Sequence, residues 1–245
     1  MEKVKDTLFK NGGERDLSPV KAVLVLAFIL ILNQAFYLLS GKAHVYLFNS
    51  LLVDGRDKYA LDFTLTILKN ILIIAWQLSL IITGLRLFNI SAKDIGWRKS
   101  ENLRKILVGI TFIFAYRILK EVLDGYAVNG GAAISLSGFW GMLYNPVVYY
   151  HLIIAPFVSP LFEELFYRGF IFTALERRCG WICAVIGSAL FFSAFHTTSA
   201  ISFSLEIFLK GIVYGLLRKW DGSIWSSTCA HSMNNLLSAW FIIRI

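Results

Sequence analysis

The sequence predicts an all-α protein, a polytopic transmembrane bundle of seven or eight helical spans enclosing a polar catalytic cavity. Three observations predict it. Of the 245 residues, 57% are hydrophobic and only 16% charged, where soluble domains carry about 25% charged residues. Several apolar runs reach the length needed to cross a bilayer, about 20 residues. Nowhere does the chain alternate apolar and polar residues as a half-buried strand would. One integral membrane domain, residues 1–245, accommodates the whole pattern. The net charge of +8 is spread through short connecting loops, the distribution that topology demands. No nucleic-acid partner is therefore expected, and the lipid bilayer is.

Taken in order, residues 1–21 read as a basic cytoplasmic tail. No cleavable signal peptide is evident, because the apolar run that follows is longer than a signal core. Residues 22–39 hold no charge and form the clearest span. A mixed polar loop is expected over 40–62, a second span over 63–85, and a strongly basic connector over 86–105. Inside that connector, residues 89–97 (NISAKDIGW) read as a turn and a short amphipathic helix. A third span starts near Ile106 and runs into Arg117 and Lys120. The Gly- and Ser-rich stretch 127–141 reads as irregular or re-entrant. Residues 146–175 are apolar but interrupted by Pro156 and Pro160. After a turn at Arg177, Arg178, Cys179 and Gly180 come spans at 181–196, 203–217 and 223–243. The span count is eight if 146–158 crosses separately. With the amino terminus inside and seven spans alternating, inside segments hold 15 Lys and Arg and outside segments 6. That bias places the amino terminus in the cytoplasm. Cys179, Cys183 and Cys229 lack C-x-x-C spacing and read as free apolar thiols.

The chemistry concentrates in residues 159–240. Glu163, Glu164 and Arg168 stand inside a hydrocarbon run, with no Asp, Glu, Lys or Arg between Gly125 and Phe162. A charge at bilayer depth costs at least about 2.5–3.5 kcal/mol, so three together require a reason. On a helix Glu164 and Arg168, four apart, can pair, which leaves Glu163 facing elsewhere. Two further pairs at the same spacing follow, Phe192 with His196 and His231 with Asn235. In a hairpin turning at 179–180, Glu163 and His196 lie level, about 25 Å from the turn. Asn235 lies about 22 Å beyond the turn near Trp220, and His231 one helical turn shallower.

Four polar groups converging at one depth can hydrolyse a peptide bond. A carboxylate takes a proton from water and returns it, a histidine orients that water, and a second histidine with an amide meets the oxyanion. The same groups can instead hold zinc, with Glu163, His196 and His231 as ligands. No H-E-x-x-H and no G-x-S-x-G occurs. Metal-free chemistry is the expectation, because zinc ligation would leave Glu164 as the only base while Glu164 is better placed to pair with Arg168.

E-E-x-x-x-R (Glu163, Glu164, Arg168), F-x-x-x-H (Phe192, His196) and H-x-x-x-N (His231, Asn235), in that order, resemble the three motifs of the CAAX prenyl protease and bacteriocin-processing (Abi) family of intramembrane endopeptidases. The resemblance covers residues 159–240. It implies Glu163 and His196 as the water-activating pair, His231 and Asn235 as oxyanion stabilisers, and Glu164, Arg168 and Phe192 in support. It further implies a membrane-embedded or lipidated peptide as substrate, and the size and character of the chain point to a bacterial cytoplasmic membrane as location. A non-proteolytic bacteriocin-immunity or scaffold protein that binds a peptide or partner is the competing expectation. A small transporter relaying protons ranks behind both.

Overall fold

The computed structural model describes residues 18–52, 58–91, 93–100, 102–123, 150–196 and 203–243. All regular structure among them is helical: α1 (Pro19–Leu51), α2 (Lys58–Leu87), α3 (Leu103–Leu123), α4 (Tyr150–Val158), α5 (Ser159–Glu164), α6 (Leu165–Ile171), α7 (Phe172–Ala194), α8 (Leu205–Asp221) and α9 (Trp225–Ile243). The irregular stretch expected over 127–141 lies outside the described residues.

Ser18 starts α1 by accepting a hydrogen bond from the Lys21 N–H, with Pro19 at the first helical position, where its missing N–H costs nothing. The polar loop expected from residue 40 does not form there. The helix continues to Leu51, because the Ser40 hydroxyl donates back to Tyr37 O at 2.8 Å and no proline intervenes. The connector carries no helix at 93–97. Ser91 binds Asp94 through both its N–H and its hydroxyl, and Asn89 and Gly96 take left-handed backbone (φ 51 and 77), so side-chain turns replace helical bonds there.

α1 packs on α2, α7 on α8, and α9 on α3, α4 and α8. The core between them is apolar around α5, α6 and α7, with Phe166, Phe170, Ile171 and Phe172 fully buried. Polar side chains are buried with them: Glu164, Arg168, Ser188, Ser193, Ser226 and Ser227. Outward faces are apolar instead. Leu24, Phe28 and Ile31 of α1, Phe112 and Leu119 of α3, and Ile182, Ile186 and Leu190 of α7 are all exposed. An outside as apolar as the inside is what a hydrocarbon solvent requires and what water disfavours.

The expected seven or eight spans are met in part. Among the described residues, α1 and the stretch Ala60–Leu87 of α2 are long and apolar enough to cross a membrane by themselves. The others are shorter or polar for identifiable reasons. α3 carries Arg104, Lys105, Arg117, Lys120 and Glu121, α8 has 17 residues with five charged ones, and α9 opens on the polar run WSSTCAHSMNN. Residues 150–194 are continuous in helical structure except at Gly180, where φ 81 and ψ 170 break α7. Only glycine enters that conformation without strain. The arms on either side fold back on one another: a Cβ on Gly187 would lie 2.8 Å from Leu175 Cδ1. The turn read at 177–180 is therefore the hairpin turn.

Candidate active site

The site starts from an ion pair within one helix. Glu164 closes α5 and Arg168 lies one turn on, in the wider π turns of α6, so Arg168 Nη1 reaches Glu164 Oε1 at 3.0 Å. Both side chains are fully buried. Removing such a pair from water costs several kcal/mol per ion, recovered only with further partners. Those partners come from other helices. Arg168 Nη2 donates to Gly211 O of α8 at 3.1 Å, and its guanidinium carbon lies 4.5 Å from the Phe192 ring, 5.3 Å from Tyr214 and 5.9 Å from Tyr167. Gly211 is required for that approach, since a Cβ there would stand 2.9 Å from the Ala189 Cβ. A cation boxed by three aromatic faces is held without a second carboxylate.

Glu164 has a second partner, His231 of α9, whose Nδ1 lies 3.0 Å from the same Oε1. A carboxylate only accepts, so His231 donates from Nδ1 and its Nε2 is left to face the other way. What it faces is Glu163. His231 Nε2 and His196 Nδ1 each stand 3.8 Å from Glu163 Oε2, beyond direct hydrogen-bond length. That oxygen is buried and has no hydrogen-bond partner among the described residues. Phe192 walls both imidazoles, its ring 4.6 Å from His196 and 5.6 Å, edge to face, from His231. The side chains of His196 and Glu163 are 36% and 24% exposed, against 3% for His231, so the cluster has an open mouth and a closed back.

The structure thus brings together Glu163, Glu164, Arg168, Phe192, His196 and His231. Asn235 sits one turn beyond His231 along α9. Its Nδ2 donates to Ala155 O of α4 at 2.9 Å, and its Oδ1 accepts from Asn234 at 3.1 Å. The depth expected from chain counting is corrected by one helical turn: His231, not Asn235, is level with Glu163. The connector is tied to the α8–α9 turn. Gly96 O accepts from the Ile224 N–H at 3.1 Å, Arg98 Nε donates to Gly222 O at 3.1 Å, and Ser223 Oγ donates to Arg98 O at 2.7 Å. Arg218 completes the tie, donating from Nε to Arg168 O at 3.2 Å and from Nη2 to Asp94 O at 3.0 Å.

Sequence reasoning missed Tyr167, Tyr214, Gly211 and Arg218. The spacing of Gly211, Tyr214 and Gly215 on one face of α8 is the signal that could have found two of them. For metal, the donors Glu163 Oε2, His196 Nδ1 and His231 Nε2 face one another. Among the described residues, no group of three or more His, Cys, Asp or Glu side chains has the geometry to hold an ion.

Residues 145–237, which contain every group of the cluster, match the family of proteins described as type II CAAX prenyl endopeptidase Rce1-like. Comparison with curated proteins and with solved structures found no match. The motif-bearing segment is therefore similar to that family over 145–237, the part of the chain that holds the cluster.

Proposed function

Taking the type II CAAX prenyl endopeptidase family as the premise, we propose that this chain is an intramembrane endopeptidase that hydrolyses a membrane-associated peptide or a lipidated tail with water activated by Glu163 and His196. The observation that carries the reading is Glu163 Oε2, buried, with no hydrogen-bond partner among the described residues, and 3.8 Å from two imidazole nitrogens, one just past the end of α7 and one on α9. A water held between such groups gives its proton to Glu163 while its oxygen attacks the scissile carbonyl carbon. His196, at the open mouth, orients that water. His231 is fixed by Glu164 and turns Nε2 toward the reacting centre, and Asn235 supplies an amide N–H to the oxyanion. Collapse of the tetrahedral intermediate breaks the C–N bond as Glu163 returns the proton to the leaving nitrogen.

The reaction proceeds without metal in this proposal. Glu164 is clamped between Arg168 and His231, so if Glu163 ligated zinc, no carboxylate would remain to act as base. Where the same donors held zinc, the ion would polarise the carbonyl and acidify water. The protein resides in a bacterial cytoplasmic membrane with its amino terminus and basic turns in the cytoplasm.

The test is a peptide-cleavage assay on purified protein. Glu163→Gln and His196→Ala should abolish turnover while folding is retained, and Asn235→Ala should slow it by about 10²–10³. Wild-type turnover in Glu163→Gln would remove the proposed base. Stripping with a strong chelator, checked by elemental analysis, should leave activity intact. Loss on stripping with recovery on stoichiometric zinc would make Glu163, His196 and His231 ligands.

A further inference from the structure

Tyr214 is a group that the proposed chemistry leaves unused. Its ring stacks on His231, centroids 4.9 Å apart and planes at 18°, and it meets the Phe192 edge at 6.3 Å. The residue is 1% exposed. Its hydroxyl is buried and has no hydrogen-bond partner among the described residues. Buried tyrosine hydroxyls ordinarily find a partner, and one that does not calls for a reason.

The reason lies in what surrounds it. Beside one imidazole stand an orphaned acceptor, Glu163 Oε2, 3.8 Å from His231 Nε2, and the ring of Tyr214, whose O–H is an orphaned donor. Hydrolysis of an amide calls for such a pair: an acceptor for the water proton and a donor for the oxygen that becomes negative. Asn235 spends one of its two N–H groups on Ala155 O, so at most one N–H of that amide reaches the oxyanion and a second donor is called for. α8 is fixed for the task. Gly211 and Gly215 seat it on Ala189 and Val185 of α7, and Gly211 O is held by Arg168.

We propose that Tyr214 is a catalytic residue, donating its phenolic hydrogen bond to the substrate carbonyl oxygen as that oxygen becomes the oxyanion. This rests on the endopeptidase reading above. Water oxygen bonds to the carbonyl carbon, its proton passes to Glu163, and the carbonyl π pair moves onto oxygen, where the Tyr214 O–H meets it without transferring its proton. When the C–N bond breaks, the pair returns to the carbonyl and the Glu163 proton leaves with the amine. Acid and amine account for substrate plus water.

Tyr214→Phe keeps the ring on His231 and removes only the donor. In full-length protein in vesicles, kcat for a peptide substrate should fall about 10²-fold with KM unchanged and thermal stability undiminished, since no existing hydrogen bond is lost. As a second arm, 3-fluorotyrosine at 214 makes the O–H a stronger donor on the same ring, and kcat should rise above wild type. Wild-type kcat in Tyr214→Phe, or no change with the fluorinated ring, overturns the assignment. Glu163→Gln is run alongside. If it is inactive while Tyr214→Phe is fully active, only the Tyr214 role fails; if it is fully active, the hydrolytic reading itself fails.

Discussion

Glu164 does two jobs with one oxygen, since both Arg168 Nη1 and His231 Nδ1 lie 3.0 Å from its Oε1. Glu164→Ala should therefore cost about 3–5 kcal/mol, the penalty for leaving a buried cation unpaired. Thermal unfolding of the purified variant measures it. Replacing both partners, Glu164→Met with Arg168→Met, should recover much of that stability and none of the activity, because His231 loses the acceptor that aims its Nε2. If the double variant cleaves peptide at the wild-type rate, the orienting role is wrong. At this scale much of the cluster was legible. Four-residue spacing put Glu164 on Arg168 and Phe192 beside His196, and the hairpin argument put Glu163 level with His196. Tyr214 was not legible, because an aromatic ring in an apolar helix gives no signal until its unpaired hydroxyl is located. Asn235 keeps its spacing from His231, but its amide is bonded to Ala155 O of α4, a partner that spacing along one helix does not reveal.

Helix pairs set those distances. α8 approaches α7 through Gly211, where an added Cβ would meet Ala189 Cα at 3.0 Å and Cβ at 2.9 Å. Gly211→Ala should force the pair apart by a few tenths of an ångström and cost about 1–3 kcal/mol. A loss of cleavage is expected with it, because Gly211 O holds Arg168; unaltered melting and activity would show that the interface yields freely. The connector between α2 and α3 is held by charge instead. Burial works against the Asp94 carboxylate, but Ser91 and the Arg177 guanidinium, 2.6 Å away, hold its pKa below the ordinary 3.8. A depressed folded-state value contributes stability above the unfolded pKa that is lost as pH falls through the folded one. Wild type and Asp94→Asn should thus differ in melting temperature at neutral pH and converge below about pH 3.8. The pair is partly exposed and the gap correspondingly small. Of the elements, spans 1 and 2 and the two tight turns were readable from apolar run length and glycine. The extension of α1 to Leu51 was not, since Ser40, Gly41 and Lys42 look like a loop until the serine is seen to bond backward.

Across the molecule, the connector fastens both turns, with Asn89 and Asp94 on Arg177 and Gly96 and Arg98 on the α8–α9 turn. Both lie on the basic side that the positive-inside count assigns to the cytoplasm. Cys179 is exposed at that side, so a membrane-impermeant maleimide should label it in inverted vesicles and not in intact cells; the reverse pattern would invert the topology. Helical class was legible from composition, and α1 and α2 from apolar length, while α3, α8 and α9 carry the charges of the site and its ties and so blur where each span begins and ends. The reach of one bond has a further consequence, in time. His231 lies 67 residues after Glu164, which at 5–20 residues per second of synthesis is roughly 3–13 s. Arg168, four residues on, neutralises Glu164 as that helix enters the bilayer, so no bare charge waits there. His231 arrives later, and until it does Glu163 has no second imidazole. On the proposed reading, cleavage would begin only once α9 docks, and release of a stalled chain truncated before His231 should give no turnover in a peptide-cleavage assay.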